Sequence, residues 1–318
     1  MKIAFILDPL ESLKSYKDSS VAMMREAQRR GHAVHAIMRA ALTWRDSKVY
    51  AVATHLQLHA EHAGHGAWFT PLATQSQPLD AFNAVVMRQD PPFDFEYITA
   101  TWLLERAEAA GARIYNRPRA IRDHNEKIAI TEFPQFTATT VVARDATEIN
   151  AVIDELDDVI LKPLDGMGGS SIFRVRHDDP NRNVIVETLT AHGRQTIMVQ
   201  RYLPQIAQGD KRILLIAGKP VPYCLARIPK PGESRGNLAA GGTGVAQQLS
   251  PRDREIAETL GPILAARGLL LVGLDVIGDC LTEINVTSPT CFVEIAKQSG
   301  CDVAALFLDG LEQEATST

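Results

Sequence analysis

Val159-Ile160-Leu161-Lys162-Pro163-Leu164-Asp165-Gly166-Met167-Gly168-Gly169-Ser170-Ser171-Ile172-Phe173 places one lysine inside an apolar run, follows it with a glycine-rich loop, and then returns to an apolar pair. Short apolar runs bounded by glycine read as strands, so this is strand, loop, strand. Glycines without Cβ let backbone N–H groups close around phosphate oxygens, and the serine hydroxyls add donors. The loop matches neither GxxxxGK[ST] nor GxGxxG, so it is no P-loop or dinucleotide fingerprint. On spacing alone, a phosphate cradle and a tight hairpin both fit it. Lys162 weighs toward an anion, because a charge in a strand that otherwise reads as buried needs a partner.

Outward from this stretch, strands and helices alternate in both directions. On the N-terminal side, Ile3 to Leu7 is a strand, Asp18 caps a helix over Ser19 to Arg30, and Gly31 ends it before a strand from Ala33 to Met38. The same order recurs in the strand Ala84 to Met87, a helix from about Phe95 to Ala110, and the strand Arg113 to Tyr115. That is a parallel α/β start over residues 1 to about 120. A polar helix start at Arg122 to Lys127 follows, then Thr137 to Ala143, a helix over Thr147 to Leu156, and the quoted stretch. Beyond it lie two hairpins. Ile213 to Ile216 turns through Gly218-Lys219 into Val221 to Ala226, and Val272 to Ile277 turns through Gly278-Asp279 into Leu281 to Val286. Between them Ile228 to Gly244, rich in glycine and proline, reads as a long mobile loop.

The chain has 318 residues, 45% hydrophobic and 22% charged, which fits a folded α/β protein and excludes disordered, collagenous and coiled-coil readings. With 33 basic and 38 acidic residues and no basic block, nucleic acid is not expected as a partner. Four cysteines (Cys224, Cys280, Cys291, Cys301) lack any CxxC, so a reduced cytoplasmic setting is expected. The first apolar run is too short for a signal peptide, and Leu269 to Leu274 falls far short of the ~20 residues that span a bilayer.

Three further groups carry chemistry. Leu281-Thr282-Glu283-Ile284-Asn285-Val286 alternates, so Glu283 and Asn285 share a face, and a turn centred on Asp279 puts Asp275 opposite Glu283. With no balancing base on that face, the oxygens suit a hard cation such as Mg²⁺; the plain alternative is a solvated sheet face. Arg212, Arg227 and Arg235 lie on the first hairpin and the loop, with Asp210 before them, and guanidinium forks suit carboxylates and phosphates. Histidines 55, 59, 62 and 65 could suggest a metal. However, Tyr50, Val52, Leu56 and Leu58 alternate with Ala51, Ala53, His55, Gln57 and His59, which makes a strand whose histidines face solvent.

Taken in order, Asn125-Glu126-Lys127, Ile160 to Pro163 with Asp165 to Gly169, Gln200-Arg201-Tyr202-Leu203-Pro204 and Thr282 to Val286 resemble the ATP-grasp ligases. Met87 to Asp94, Gly209 to Arg212, Tyr223 to Pro229, Gly236 to Gly242 and Asn285 to Cys291 are similar to the bacterial glutathione synthetases. The resemblance runs from residue 1 to about 300 and assigns nothing to residues 42–79 or to the tail. It implies an N-terminal parallel α/β (pre-ATP-grasp) domain over 1–120 and a two-lobed ATP-grasp domain with antiparallel sheets over 121–318. Within the latter, the small lobe spans about 121–200, the C-terminal lobe about 201–318, and the lid about 228–244.

By the same resemblance Lys127 and Lys162 hold ATP phosphates under Gly166, Gly168 and Gly169, while Gln200, Tyr202 and Leu203 read adenine with Asp210 near the ribose. Asp275, Glu283 and Asn285 match positions for Mg²⁺ or Mn²⁺. Arg212, Arg227 and Arg235 take catalytic positions, and Asp18, Ser19, Arg88, Asp90, Asn237, Ser288, Pro289 and Thr290 fall where substrates meet. The implied reaction joins γ-glutamylcysteine to glycine through an acyl phosphate, in a cytoplasmic homo-oligomer (dimer or tetramer) with no nucleic-acid or membrane partner. An ATP-grasp ligase for another carboxylate and amine, and a nucleotide-gated regulatory protein of the same fold, are the competing expectations.

Overall fold

The computed structural model describes residues 1–59, 68–233, 235–238 and 241–316. Three sheets organise it. The first is built on β1 (Lys2–Leu7), which pairs in parallel with β2 (Ala33–Arg45) and β5 (Ala84–Met87), and β5 pairs in parallel with β6 (Ile114–Tyr115). Two connections pack as helices: α1 (Ser19–Arg29), capped by Asp18 on the Val21 N–H, and α2 (Phe95–Ala109), capped by Asp94 on the Tyr97 N–H. Such caps contribute about 1 kcal/mol each.

The parallel reading holds for this core, but the sheet is wider than expected. Strand β2 runs on to Arg45 and folds back through β3 (Lys48–Leu58) and β4 (Phe69–Pro78), both antiparallel, giving the order β4-β3-β2-β1-β5-β6. The single alternation expected from Tyr50 to His59 fails here. Ala51 and Ala53 are buried and Val52 is exposed; the β3–β4 register then shifts between His55 and Leu56, and Leu56 and Leu58 become the buried set. A bulge exchanges the two faces of a strand. His55 consequently stacks on buried His35, ring centroids 4.8 Å apart, instead of facing solvent. His59 bonds Thr70, and positions 62 and 65 lie outside the described residues.

Residues 122 to 127 do not begin a helix, as the polar pattern had implied. They end one: α3 (Pro118–Asp123) starts on Pro118, whose missing N–H is harmless in a first turn, and a 3-10 turn follows from Ile128 to Glu132. Then comes the four-stranded antiparallel sheet β7 (Thr140–Ala143), β10 (Ile197–Arg201), β8 (Asp158–Pro163) and β9 (Phe173–Arg176), backed by α4 (Ala146–Leu156) and α5 (Arg182–Leu189). The third sheet is antiparallel in the order β14 (Thr243–Gln248), β13 (Tyr223–Ile228), β11 (Asp210–Ile216), β15 (Leu271–Ile277) and β16 (Cys280–Asn285), with β12 (Lys219–Pro220) beside β11. Helices α6 (Pro251–Ala266), α7 (Phe292–Ser299) and α8 (Val303–Thr316) complete it.

The cores do not follow the sheets one to one. One cluster unites Ile6, Val85 and Leu104 with Leu215, Leu274 and Ile284, and a second unites Phe5 and Met24 with Leu214, Phe292 and Phe307. The four-stranded sheet has a core of its own on one face, made of residues such as Ile153, Leu161, Val175 and Val199, while Met198 of β10 joins the first cluster. Asn116 ties the first sheet to the third. Its amide donates to the carbonyls of Leu271 and Val286 and accepts from the Leu271 N–H, all at 2.8–2.9 Å. No helix among the described residues is long and apolar enough to cross a membrane.

Candidate active site

The four-stranded sheet and the five-strand run of the third sheet form the two walls of a cleft. Strand β8 delivers Lys162, whose Nζ donates to the Thr282 carbonyl at 3.2 Å and stands 3.5 Å from a Glu283 oxygen. From the loop after α3, Lys127 donates to the Gly166 carbonyl at 2.7 Å and lies 3.8 Å from the same Glu283 oxygen. Burial pushes the Lys162 ammonium below its ordinary value, with Glu283 pulling the other way. Two ammonium groups therefore share one carboxylate in a buried place, which leaves a demand for further negative charge.

The glycine loop is built to lie close to something. Gly168 and Gly169 have φ of 63° and 81°, and a Cβ on Gly169 would come within 2.8 Å of the Asn237 side-chain oxygen. Glycine meets both requirements at once. Opposite the loop, the segment at Gln200 to Leu203 is held by backbone bonds from Arg201 to the Thr139 carbonyl and from Tyr202 to the Asp158 carbonyl. The Arg174 guanidinium lies 3.6 Å from the centroid of the Tyr202 ring.

Hairpin register brings the charges of the floor together. Pairing sets Asp210 across from Arg227, Arg212 across from Asp275, and Asp275 across from Glu283; the last pair is the expected one but is reached through a bulge between Asp275 and Val276, because the turn pairs Ile277 with Cys280 and so centres between Gly278 and Asp279. The expectation that this face lacks a balancing base is overturned. Asp275 receives Arg212 Nε at 2.6 Å and Arg227 Nη2 at 2.9 Å, and Arg227 also reaches Asp210 at 2.5 Å. Burial opposes the Asp275 charge, but the two guanidiniums overcome it and hold the carboxyl well below the usual carboxylate range. Asp210 goes the other way: burial, with Asp275 and Glu283 nearby, outweighs Arg227 and raises it to about 7. Its second oxygen, Oδ1, is buried without a hydrogen-bond partner.

All nine residues expected at the nucleotide (Lys127, Lys162, Gly166, Gly168, Gly169, Gln200, Tyr202, Leu203, Asp210) line one cavity of about 100 Å³, together with Arg235, Asp275 and Glu283. A second cavity of about 200 Å³ is lined by Asp90, Arg212, Arg227, Asn285, Ser288, Pro289 and Thr290; Gly166, Gly168, Asn237, Asp275 and Glu283 line both. Arg235 stands apart from the other two arginines. It reaches the Gly169 carbonyl at 3.3 Å and pairs with Glu233, so it clasps the glycine loop to the long loop.

Asp18, Ser19 and Arg88 line neither cavity; they lie one layer behind. Asp18 caps α1, Ser19 Oγ accepts the Phe292 N–H, and Arg88 donates to Ser20 Oγ and to the Pro289 carbonyl, bracing the loop that carries Ser288 to Thr290. Ser288 in turn donates to Asp90.

Glu126, Thr287 and Cys291 also line the second cavity, and no role was read for them from the sequence. Glu126 Oε1 accepts the N–H groups of Val286 and Thr287 and the Thr287 hydroxyl, and its own carbonyl accepts the Ile284 N–H. It thus fastens the Lys127 loop to β16. Its only sequence signal is its place between Asn125 and Lys127.

Family models described as the N-terminal domain and the ATP-grasp domain of prokaryotic glutathione synthetase match residues 1–122 and 126–300. The chain belongs to the prokaryotic glutathione synthetase family. The glutathione synthetase of Nitrosomonas europaea is 60% identical over 98% of both chains, and that of Ralstonia nicotianae is 56% identical over 99% of this chain and 96% of its own. Among solved structures, the D-cycloserine synthetase DcsG superposes with a TM-score of 0.66 at 14% identity, covering 99% of this chain and 100% of its own. The ATP-grasp ligase PsnB, complexed with a minimal precursor, Mg and ADP, superposes with a TM-score of 0.62 at 17% identity, covering 98% of each chain. At such identities these two speak for the fold, which is ATP-grasp. The prokaryotic glutathione synthetase family thus accounts for the sheet pair, the glycine loop and the cleft between them.

Proposed function

We propose that the two joined cavities ligate γ-glutamylcysteine to glycine with ATP, giving glutathione, ADP and phosphate. The observation that carries this reading is the continuity of the lysine-lined cavity with the arginine-lined one across Glu283 and Asp275, within a chain of the glutathione synthetase family. A carboxylate is a poor electrophile at neutral pH, so its oxygen must first attack the γ-phosphorus and expel ADP. The amine nitrogen then attacks the acyl carbon, inorganic phosphate leaves with the C–O pair of electrons, and the amine gives up a proton. Lys127 and Lys162 hold the phosphates, while Arg212 and Arg227 face the carboxylate and the transferring phosphoryl group.

The donor set fits Mg²⁺ or Mn²⁺. Asn285 spends its amide N–H on the Gly273 carbonyl, which leaves its oxygen beside Glu283 and Asp275. Among the described residues no three His, Cys, Asp or Glu side chains converge on one point. Two carboxylates and one amide therefore suit a cation that arrives with phosphate oxygens of its own. When bound, such a cation neutralises charge on the phosphoryl oxygens. Asp275, Glu283 and Asn285 would hold it.

The loop from 228 to 244 excludes water, which would destroy an acyl phosphate. In the assembly, we read the free edge of β4, exposed and uncharged along most of its length, as the surface that meets a second copy in a homo-oligomer. The test is ADP release from ATP with γ-glutamylcysteine and glycine, each omitted in turn. Release that needs both supports the reading. Release that needs another carboxylate or amine assigns a different ligase, and nucleotide binding without release would assign a regulatory protein.

A further inference from the structure

Behind the active site, where β6 meets the C-terminal end of α6, a cavity of about 470 Å³ opens that shares no lining residue with the two cavities of the cleft. Its volume lies in the range of small-molecule sites, about 300–1,000 Å³. The floor is apolar and small-chained: Ala265, Ala266, Leu269 and Leu270. Arg113, half-buried just before β6, and Glu314, exposed on α8, both line it. Neither side chain has a hydrogen bond or an ion pair among the described residues, and the Tyr115 hydroxyl on the same wall has no hydrogen bond either. The remaining two charges at the rim, Arg117 and Glu108, answer each other at 3.6 Å.

A cation and an anion therefore line one cavity without meeting in an ion pair. A bare anion would satisfy Arg113 but meet Glu314, and a bare cation would do the reverse. We propose that this cavity binds a small zwitterion of amino-acid or short-peptide chemistry, its carboxylate on Arg113 and Tyr115 and its ammonium group on Glu314. A guanidinium fork with a hydroxyl beside it suits a carboxylate, and the ligand's carbon skeleton would cover the alanine and leucine floor. The chemistry is common to free amino acids and to the peptides that the neighbouring site handles.

The experiment is equilibrium dialysis of the full chain with labelled glutamate, labelled glutathione and labelled inorganic phosphate, in wild type, Arg113→Ala and Glu314→Gln. Both substitutions sit at the cavity wall outside the ligase machinery, so initial turnover should be unchanged. The expected result is one equivalent of glutamate or of glutathione whose affinity falls at least tenfold in each variant; which probe gives it tells amino acid from peptide. No equivalent sensitive to both substitutions, or phosphate binding that Glu314→Gln leaves unchanged, overturns the proposal. The outcome is separable from the ligase reading, because failure of the ADP-release assay leaves an Arg113- and Glu314-dependent equivalent in place.

Discussion

At Glu283 one carboxylate answers two lysines, and on the proposed reading it also serves the cation. Glu283→Gln keeps the shape and removes the charge, so turnover at saturating ATP should fall by orders of magnitude, whereas Asn285→Asp should cost less. Near-wild-type steady-state rates in the glutamine variant would take Glu283 out of the site. Asp210 supplies a pH signature. Its carboxyl is raised from 3.8 to about 7, so between those values the folded protein holds a proton that the unfolded chain has released. The stability this group adds is complete below about pH 4 and is lost as pH rises through about 7. Thermal melts of wild type and Asp210→Asn across that window should show a downward slope that the variant lacks. Several of these residues were legible in advance. Lys162 stands out as a charge in an apolar strand, and Asp275 was expected opposite Glu283, although a bulge after Asp275, not a turn centred on Asp279, puts it there. The grip of Arg212 and Arg227 on Asp275 was not legible. It depends on β11 pairing with both β13 and β15, and β15 lies some sixty residues along the chain, a pairing no local pattern announces.

Among the elements, the long loop between β13 and β14 rests on backbone. A Cβ at Gly236 would stand 2.3 Å from the Arg227 carbonyl oxygen, so the loop lies directly on β13, and Leu238 packs against the second core cluster. Another hold, among the described residues, is Arg235 on the glycine loop. Among the described residues such contacts are few, and trypsin should cut the free protein after Arg235, the Lys230–Pro231 bond being resistant to it. ATP analogue, Mg²⁺ and γ-glutamylcysteine together should protect the Arg235–Gly236 bond more than nucleotide alone does. Equal cleavage with and without ligands, and undiminished synthesis by the nicked protein, would remove the loop from the mechanism. The loop was readable from its glycines and prolines. The phase change in β3 was not, because a bulge inserts no distinctive residue at His55-Leu56 and betrays itself only through the partner strand.

For the whole molecule, the distribution of cores decides which parts move together. The first and third sheets share two apolar clusters and the Asn116 tie, whereas the four-stranded sheet fills one face with its own residues and reaches the first cluster through Met198, with Val142 packed against it. The molecule should therefore open in two cooperative units. Native-state hydrogen exchange is expected to show residues 140–201 exchanging together at lower free energy than β1 and β15, with ATP analogue and Mg²⁺ narrowing the gap. A single common exchange free energy in the free protein would contradict this. The α/β order foretold a parallel sheet and the hairpins antiparallel pairing, while the division of the latter into two lobes came from the resemblance to the ATP-grasp ligases. Which sheets would share a core could not be read, since apolar side chains carry no label for their partners.

The register of the small sheet has one more consequence. Thr140 pairs with Gln200, so the segment that begins on β7 and ends on β10 enters and leaves the rest of the chain at one doorway. A piece whose ends are neighbours can be lifted out, replaced or grafted without re-threading its host. In genetic terms, the exchangeable cassette of this ligase is residues 140–201. A cut near residue 120, by contrast, falls across a joint that neither fragment can heal alone.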